Sequence, residues 1–161
     1  MIGPGTVGTA SDLVPSLERF WTVSATALDQ LAENWTAEDG APVYTVEGRY
    51  TSRGWTEWTQ GFQFGSSLLQ FDATDEVRFL ESGRANTLAH MPPHLTHVGV
   101  HDHGFNNVST YGNLWRMARE GRFEATTAEI DGWELALRVS GAVQAVRWTT
   151  TSDGDGFIHS F

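Results

Sequence analysis

Nine consecutive residues, Gly99-Val100-His101-Asp102-His103-Gly104-Phe105-Asn106-Asn107, gather one carboxylate, two imidazoles and two amides between glycines. Glycine lets a backbone turn tightly, and acid/base groups are commonly carried on segments between helices. Asp102 is the leading candidate for chemistry. A carboxylate serves as an acid near neutral pH only when burial or a second negative group raises its pKa. Protonated His101 and His103 would push the other way, so the sequence leaves the charge of Asp102 open. The structural alternative is that Asp102 caps a helix starting near Asn107 or Val108.

A second signature lies upstream, Glu57-Trp58-Thr59-Gln60-Gly61-Phe62-Gln63-Phe64-Gly65. Trp58 and Phe62 stand at helical spacing, which by itself suits a core as well as a ligand. Gly61 and Gly65 weaken a helix, so their presence implies something that approaches its backbone closely. Other chemistries lack their residues. The histidines at 90, 94, 97, 101 and 103 invite a metal site. However, a His-x-His-x-Asp-His pattern would need histidine where Val98 and Val100 stand, and no His-Glu-x-x-His occurs. No metal is therefore expected. Ser66, Ser67 and Ser109 have no nucleophile-elbow context, and there is no Gly-Lys-Ser/Thr phosphate loop.

Helical periodicity supplies the elements that must position these groups. A helix is predicted from Ser11 or Asp12, with Leu17, Phe20, Trp21, Ser24, Leu28 and Leu31 along one face. Asp39-Gly40-Ala41-Pro42 closes that region, and Val43 to Tyr50 reads as a small strand or extended loop. A second helix starts near Trp58, breaks over Asp72–Asp75, and is followed by a third that stops at Met91-Pro92-Pro93. Two more are predicted, one ending near Gly121 and one near Gly141, before a polar, Gly-rich tail from Thr149 to Phe161. Residues 1–10 read as a loose lead-in. The long connections at about 36–57 and 91–107 exceed the roughly 2–8 residues usual between helices, so a site would be built there.

Composition narrows the function classes. With 40% hydrophobic and 19% charged residues the chain reads as globular, and no apolar run reaches membrane-spanning length. The absence of cysteine removes disulfides, thiolate nucleophiles and cysteine-bound zinc. A net charge of −10 opposes tracking of nucleic-acid phosphates. Seven tryptophans suit a sugar-binding surface, each with a flat apolar face and one donor. The start lacks a signal-peptide pattern, so a cytoplasmic location is expected. Arg84, Arg116, Arg119 and Arg122 include candidates for a carboxylate clamp.

Trp58-Thr59-Gln60-Gly61-Phe62 followed by His101-Asp102-His103-Gly104-Phe105 resembles the Trp-Thr-x-Gly-Phe and His-Asp-x-Gly-Phe signatures of unsaturated glucuronyl hydrolases, glycoside hydrolase family 88. Gly156-Phe157-Ile158-His159-Ser160-Phe161 resembles a later segment of that family, so the similarity spans most of residues 11–161. The resemblance implies an all-α fold, an (α/α)6 toroid of six helical hairpins, of which this chain holds about three with long loops on one side. It implies removal of a 4,5-unsaturated uronic acid from oligosaccharides made by polysaccharide lyases, through hydration of the vinyl ether, without cofactor or metal. By motif match Asp102 is the assisting catalytic aspartate and Trp58 lines the substrate cleft, with His101, His103 and Asn106 as further substrate contacts.

The family's proton-donating aspartate is expected after Phe161. Asp153 and Asp155 lie too early in the pattern to replace it, and Asn106-Asn107 and His103 stand where the family has more apolar residues. Six hairpins need about 300 residues or more, against 161 here. The chain is thus expected to be an N-terminal portion of such an enzyme, inactive alone. Other readings of the same residues are a different glycosidase on the same toroid and a non-catalytic helical carbohydrate-binding module.

Overall fold

In a computed structural model, residues 9–53, 58–99 and 101–160 are described. The lead-in residues 1–8, Glu57 of the upstream signature, Val100 and Phe161 lie outside them. The chain is mostly helical, as expected for the all-α class, with two small antiparallel sheets added.

A 3-10 turn, Ala10–Leu13, leads into α1, Val14–Asn34. The start is set by Thr9 rather than by Ser11 or Asp12. The Asp12 carboxylate accepts from the Thr9 backbone N–H at 2.7 Å and from its hydroxyl at 2.9 Å. These two bonds, the backbone one first, hold Asp12 below the ordinary carboxylate range. Thr9 and Ala10 therefore belong to the helix start and not to a lead-in. β1, Ala41–Val46, and β2, Arg49–Arg53, form a hairpin with Val46 opposite Arg49. The segment Val43 to Tyr50, expected as a small strand or extended loop, bends in its middle because Glu47 and Gly48 both take positive φ, 52° and 76°. That is what a two-residue turn between right-twisted strands requires.

α2, Gln60–Thr74, runs through most of the break expected at Asp72–Asp75, and α3, Val77–His90, stops before Met91-Pro92-Pro93 as expected. Between them Asp75 adopts the left-handed conformation, with φ 58°, which short polar side chains tolerate. A 3-10 turn, Pro92–Leu95, follows α3. The chain next winds as a π-helix over Gly104–Gly112 and continues as α4, Asn113–Arg119. Half of the predicted histidine-bearing loop is thus helical.

α5, Thr127–Ala145, runs past Gly141, where a stop was expected. One glycine costs a helix about 1 kcal/mol, and Ala142-Val143-Gln144-Ala145 carries the ladder on. β3, Trp148–Thr150, pairs antiparallel with β4, Gly156–Ile158, in the polar, Gly-rich tail, for which no strand was expected.

The core is built around α2. Phe64, Leu68 and Phe71 pack with Phe79 and Leu80 of α3, Tyr111 of the π-helix, Leu114 and Met117 of α4, and Trp133 and Ala136 of α5. α1 lies outside this core and buries none of its residues. Ala25 and Leu28 touch the core, while Leu13, Val14, Leu17, Phe20 and Val23 remain about half exposed. Leu17 and Phe20, expected on the buried face, lie in its uncovered first turns.

α5 begins with a reciprocal cap. Thr126 N–H and Oγ1 each donate to Glu129 Oε2 at 2.8 Å, and Glu129 N–H donates to Thr126 Oγ1 at 3.3 Å. The Thr126 backbone bond, then its hydroxyl, then Arg84 hold the Glu129 carboxylate below its ordinary range. Thr126→Ala removes two of the three bonds, and the expected loss is about 1 kcal/mol. It should be read as a lower urea midpoint at unchanged slope.

Candidate functional site

Two glycines bring the two signatures together. Gly61 and Gly65 sit on the edge of α2 that faces the π-helix. A Cβ on Gly61 would lie 2.7 Å from the Asn106 carbonyl oxygen and closer still to that of Phe105, and one on Gly65 would lie 2.5 Å from the Ser109 carbonyl oxygen. The backbones therefore touch without intervening side chains, as expected from the glycines alone.

This approach sets Trp58, just before α2, against Phe105. The rings of Trp58, Phe62 and Phe105 form a closed cluster, with centroids 5.7 Å apart for Trp58–Phe62 and Trp58–Phe105 and 5.4 Å for Phe62–Phe105. The three remain 40%, 39% and 49% exposed. Aromatic residues held against each other yet open to water present an apolar wall with one indole N–H donor.

Asp102 stands one helical turn before Phe105 and Asn106, and its carbonyl accepts the Asn106 N–H at 3.3 Å. The start of the π-helix carries no side-chain cap. The Asp102 carboxylate lies 3.6 Å from His101 Nε2, with side-chain exposures of 18% for the aspartate and 41% for the histidine. That pairing shelters the acid while leaving one face of the imidazole to solvent. On its other side, His101 Nδ1 is 3.2 Å from both the carbonyl and the hydroxyl oxygen of Ser160. The Arg147 guanidinium fastens this corner by donating to the carbonyls of Val98, His159 and Ser160. All three motif segments therefore converge: Trp58 through Phe105, the His-Asp turn itself, and the Gly156–Ser160 segment through Ser160.

His103 and Asn106, expected as substrate contacts, face the other way, into the protein, at 3% and 1% exposure. His94 Nε2 lies 2.8 Å from Gln60 Oε1, and Asn106 Nδ2 lies 3.0 Å from His94 Nδ1. Asn106 Oδ1 accepts the Gly61 N–H at 3.0 Å. Because an amide oxygen only accepts, His94 is assigned its proton on Nε2, leaving Nδ1 to accept from Asn106.

A second chain runs beside it. Asn107 Nδ2 donates to Ser140 Oγ at 2.9 Å, Ser140 Oγ lies 2.9 Å from His103 Nδ1, and His103 Nε2 donates to the His97 carbonyl at 2.6 Å. Of these buried polar groups only Asn107 Oδ1 is left without a hydrogen-bond partner; the others are satisfied at the cost of exposure to any ligand. His103 and Asn106 therefore hold the wall in place from behind, and Asp102, His101 and Trp58 remain at the surface.

Sequence reasoning missed Gln60, His94, Asn107 and Ser140. Their partners are up to 37 residues away, so no local periodicity marks them; the adjacent asparagines after a histidine were the one visible hint. The arginines proposed as a clamp are engaged by the protein's own carboxylates. Arg84 meets Glu129, Arg116 meets Asp72 and Glu120, and Arg122 meets Asp72 and Asp75, while Arg119 lies over the Trp115 ring. Among the described residues no group of three or more His, Asp or Glu is placed to hold a metal ion, and no helix is long and apolar enough to cross a membrane.

Fold and site together define a mostly helical protein with an exposed aromatic wall beside a carboxylate–imidazole pair. No protein-family model, no curated protein and no solved structure matches this chain.

Proposed function

We propose that this chain forms one wall of a sugar-binding cleft in a carbohydrate-active hydrolase of the unsaturated glucuronyl hydrolase type, built on an (α/α)6 toroid. The observation that carries the reading is the open Trp58–Phe62–Phe105 cluster one helical turn from Asp102. A pyranose ring lays its C–H face on such a wall while its hydroxyls seek polar groups at the edge. His101 and Asp102 precede Phe105 by one turn of chain, and in this reading they supply those groups.

In this reading the substrate is an oligosaccharide ending in a 4,5-unsaturated uronic acid, met in the cytoplasm, and no cofactor is needed. Hydration adds a proton to one alkene carbon and the hydroxyl of water to the other, the water's remaining proton passing to a carboxylate. The hemiketal so formed opens to a ketone, and the hemiacetal left at the anomeric carbon expels the remaining saccharide. Asp102, kept at the ring edge by His101, orients the water. A second carboxyl group donates the proton to the alkene and, once ionised, takes one from the water, with Asp102 assisting.

The test is a titration of the chain with an unsaturated uronate disaccharide, followed by tryptophan fluorescence. Saturable quenching is expected, with affinity reduced at least about tenfold in Trp58→Ala, or 1.4 kcal/mol, and with unchanged far-UV circular dichroism. No saturable change, or equal affinity in Trp58→Ala, would remove the basis of the reading.

A further inference from the structure

The N-terminal half of α1 overhangs the body of the protein. From Trp21 onward the helix is docked: the Trp21 carbonyl accepts from Gln70 Nε2, near the end of α2, at 3.1 Å, and Ala25 and Leu28 touch the core. Before that point every residue from Ala10 to Phe20 is exposed. Leu13, Val14, Leu17, Phe20 and Val23 are 47–59% exposed, beside the opposite end of α2 from Trp58.

The order of residue types says what this face takes. Leu13, Leu17, Phe20, Ser24 and Ala27 recur at alternating four- and three-residue steps, the seam of a helix that pairs with another helix. The positions flanking such a seam hold Val14, Trp21 and Leu28 on one side and Ser16, Val23 and Gln30 on the other. None of these is charged. Glu18, Arg19 and Asp29 fall on the back of the helix. On a chain of net charge −10, flanking carboxylates would oppose an identical helix, as like charges do in paired helices. This flank carries none.

The seam also matches itself end for end. Laid antiparallel about a point between Glu18 and Arg19, Leu17 of each copy faces Phe20 of the other, and Leu13 faces the small Ser24. The body packs on α1 only from Trp21 on, so the two bodies lie toward opposite ends of such a pair.

We propose that this face is the interface of a homodimer, in which the N-terminal half of α1 pairs antiparallel with that of a second copy about a two-fold axis. Five half-exposed apolar side chains on each copy amount to an interface on the order of 1,000 Å² in total, the lower limit for a specific contact. Association is therefore weak, in the micromolar range.

The experiment is sedimentation equilibrium of the intact chain from about 1 to 200 μM. A concentration-dependent dimer is expected. Leu17→Glu should weaken it at least about tenfold by burying a charge without a partner, with unchanged far-UV circular dichroism because the side chain is exposed in one copy alone. Cross-linking reads the register, and the absence of native cysteine keeps it clean. Leu17→Cys mixed with Phe20→Cys should give the mixed disulfide under mild oxidation in excess over either self-pair. Three results overturn the proposal: a monomer throughout the range, which leaves the face to a different partner; a dimer undiminished in Leu17→Glu, which places the contact elsewhere; or self-pairs at position 17 as abundant as the mixed disulfide.

Discussion

Gly61→Ala should destabilise the protein by about 3 kcal/mol or more, at the upper end of what overpacking costs. The added methyl meets backbone, the Phe105 and Asn106 carbonyls, and not the far end of a flexible side chain. It cannot be accommodated by a rotamer change, so α2 and the π-helix must separate. Separation would break the Gly61 N–H bond to Asn106 and pull Trp58 from Phe105. For a protein with a typical 5–15 kcal/mol in hand, that is a large share. Urea denaturation should show a lower midpoint at unchanged slope. Gly141→Ala is the contrasting control: nothing lies within 4 Å of its Cβ position, so the ordinary alanine preference should stabilise α5 by about 0.5–1 kcal/mol. Equal effects at the two positions would contradict the close approach.

Asn106→Leu should cost a comparable amount for a different reason. Both faces of the Asn106 amide are used, one by His94 and one by the Gly61 N–H. Each group left buried without a partner costs about 1–3 kcal/mol, so a loss of about 3 kcal/mol is expected. A double-mutant cycle with His94→Leu isolates their shared part. The two substitutions should be non-additive by at least about 0.5 kcal/mol, as for residues in one hydrogen-bonded network. Strict additivity would mean that His94 and Asn106 do not work as a pair.

What the sequence discloses here depends on how far apart the deciding residues stand. α2 and α3 were legible because apolar spacing, the Asp72–Asp75 break and Met91-Pro92-Pro93 are local signals. The close packing on Gly61 and Gly65 was legible too, since two glycines within a helical pattern need a reason. The π winding of Gly104–Gly112 was not: it arises where the segment is pinned between α2 and α5, and no intrinsic preference of those residues specifies it. Strands of three residues, such as β3 and β4, are too short to alternate visibly.

For the site, motif order placed Trp58 and Asp102 in one neighbourhood. It could not separate the outward His101 from the inward His103 and Asn106. In helical winding those residues differ by only a few positions, and which face meets α2 is set by contacts across the chain.

The uncovered first turns of α1 have a colloidal consequence. Leu13, Val14, Leu17, Phe20 and Val23 form a greasy ridge about half open to water, on a molecule whose copies repel one another through a net charge of −10. Dispersal is then a contest between stickiness and repulsion. Added salt tilts it one way, because the screening length shrinks from about 10 Å at 0.1 M to about 3 Å at 1 M while the ridge stays as water-averse as before.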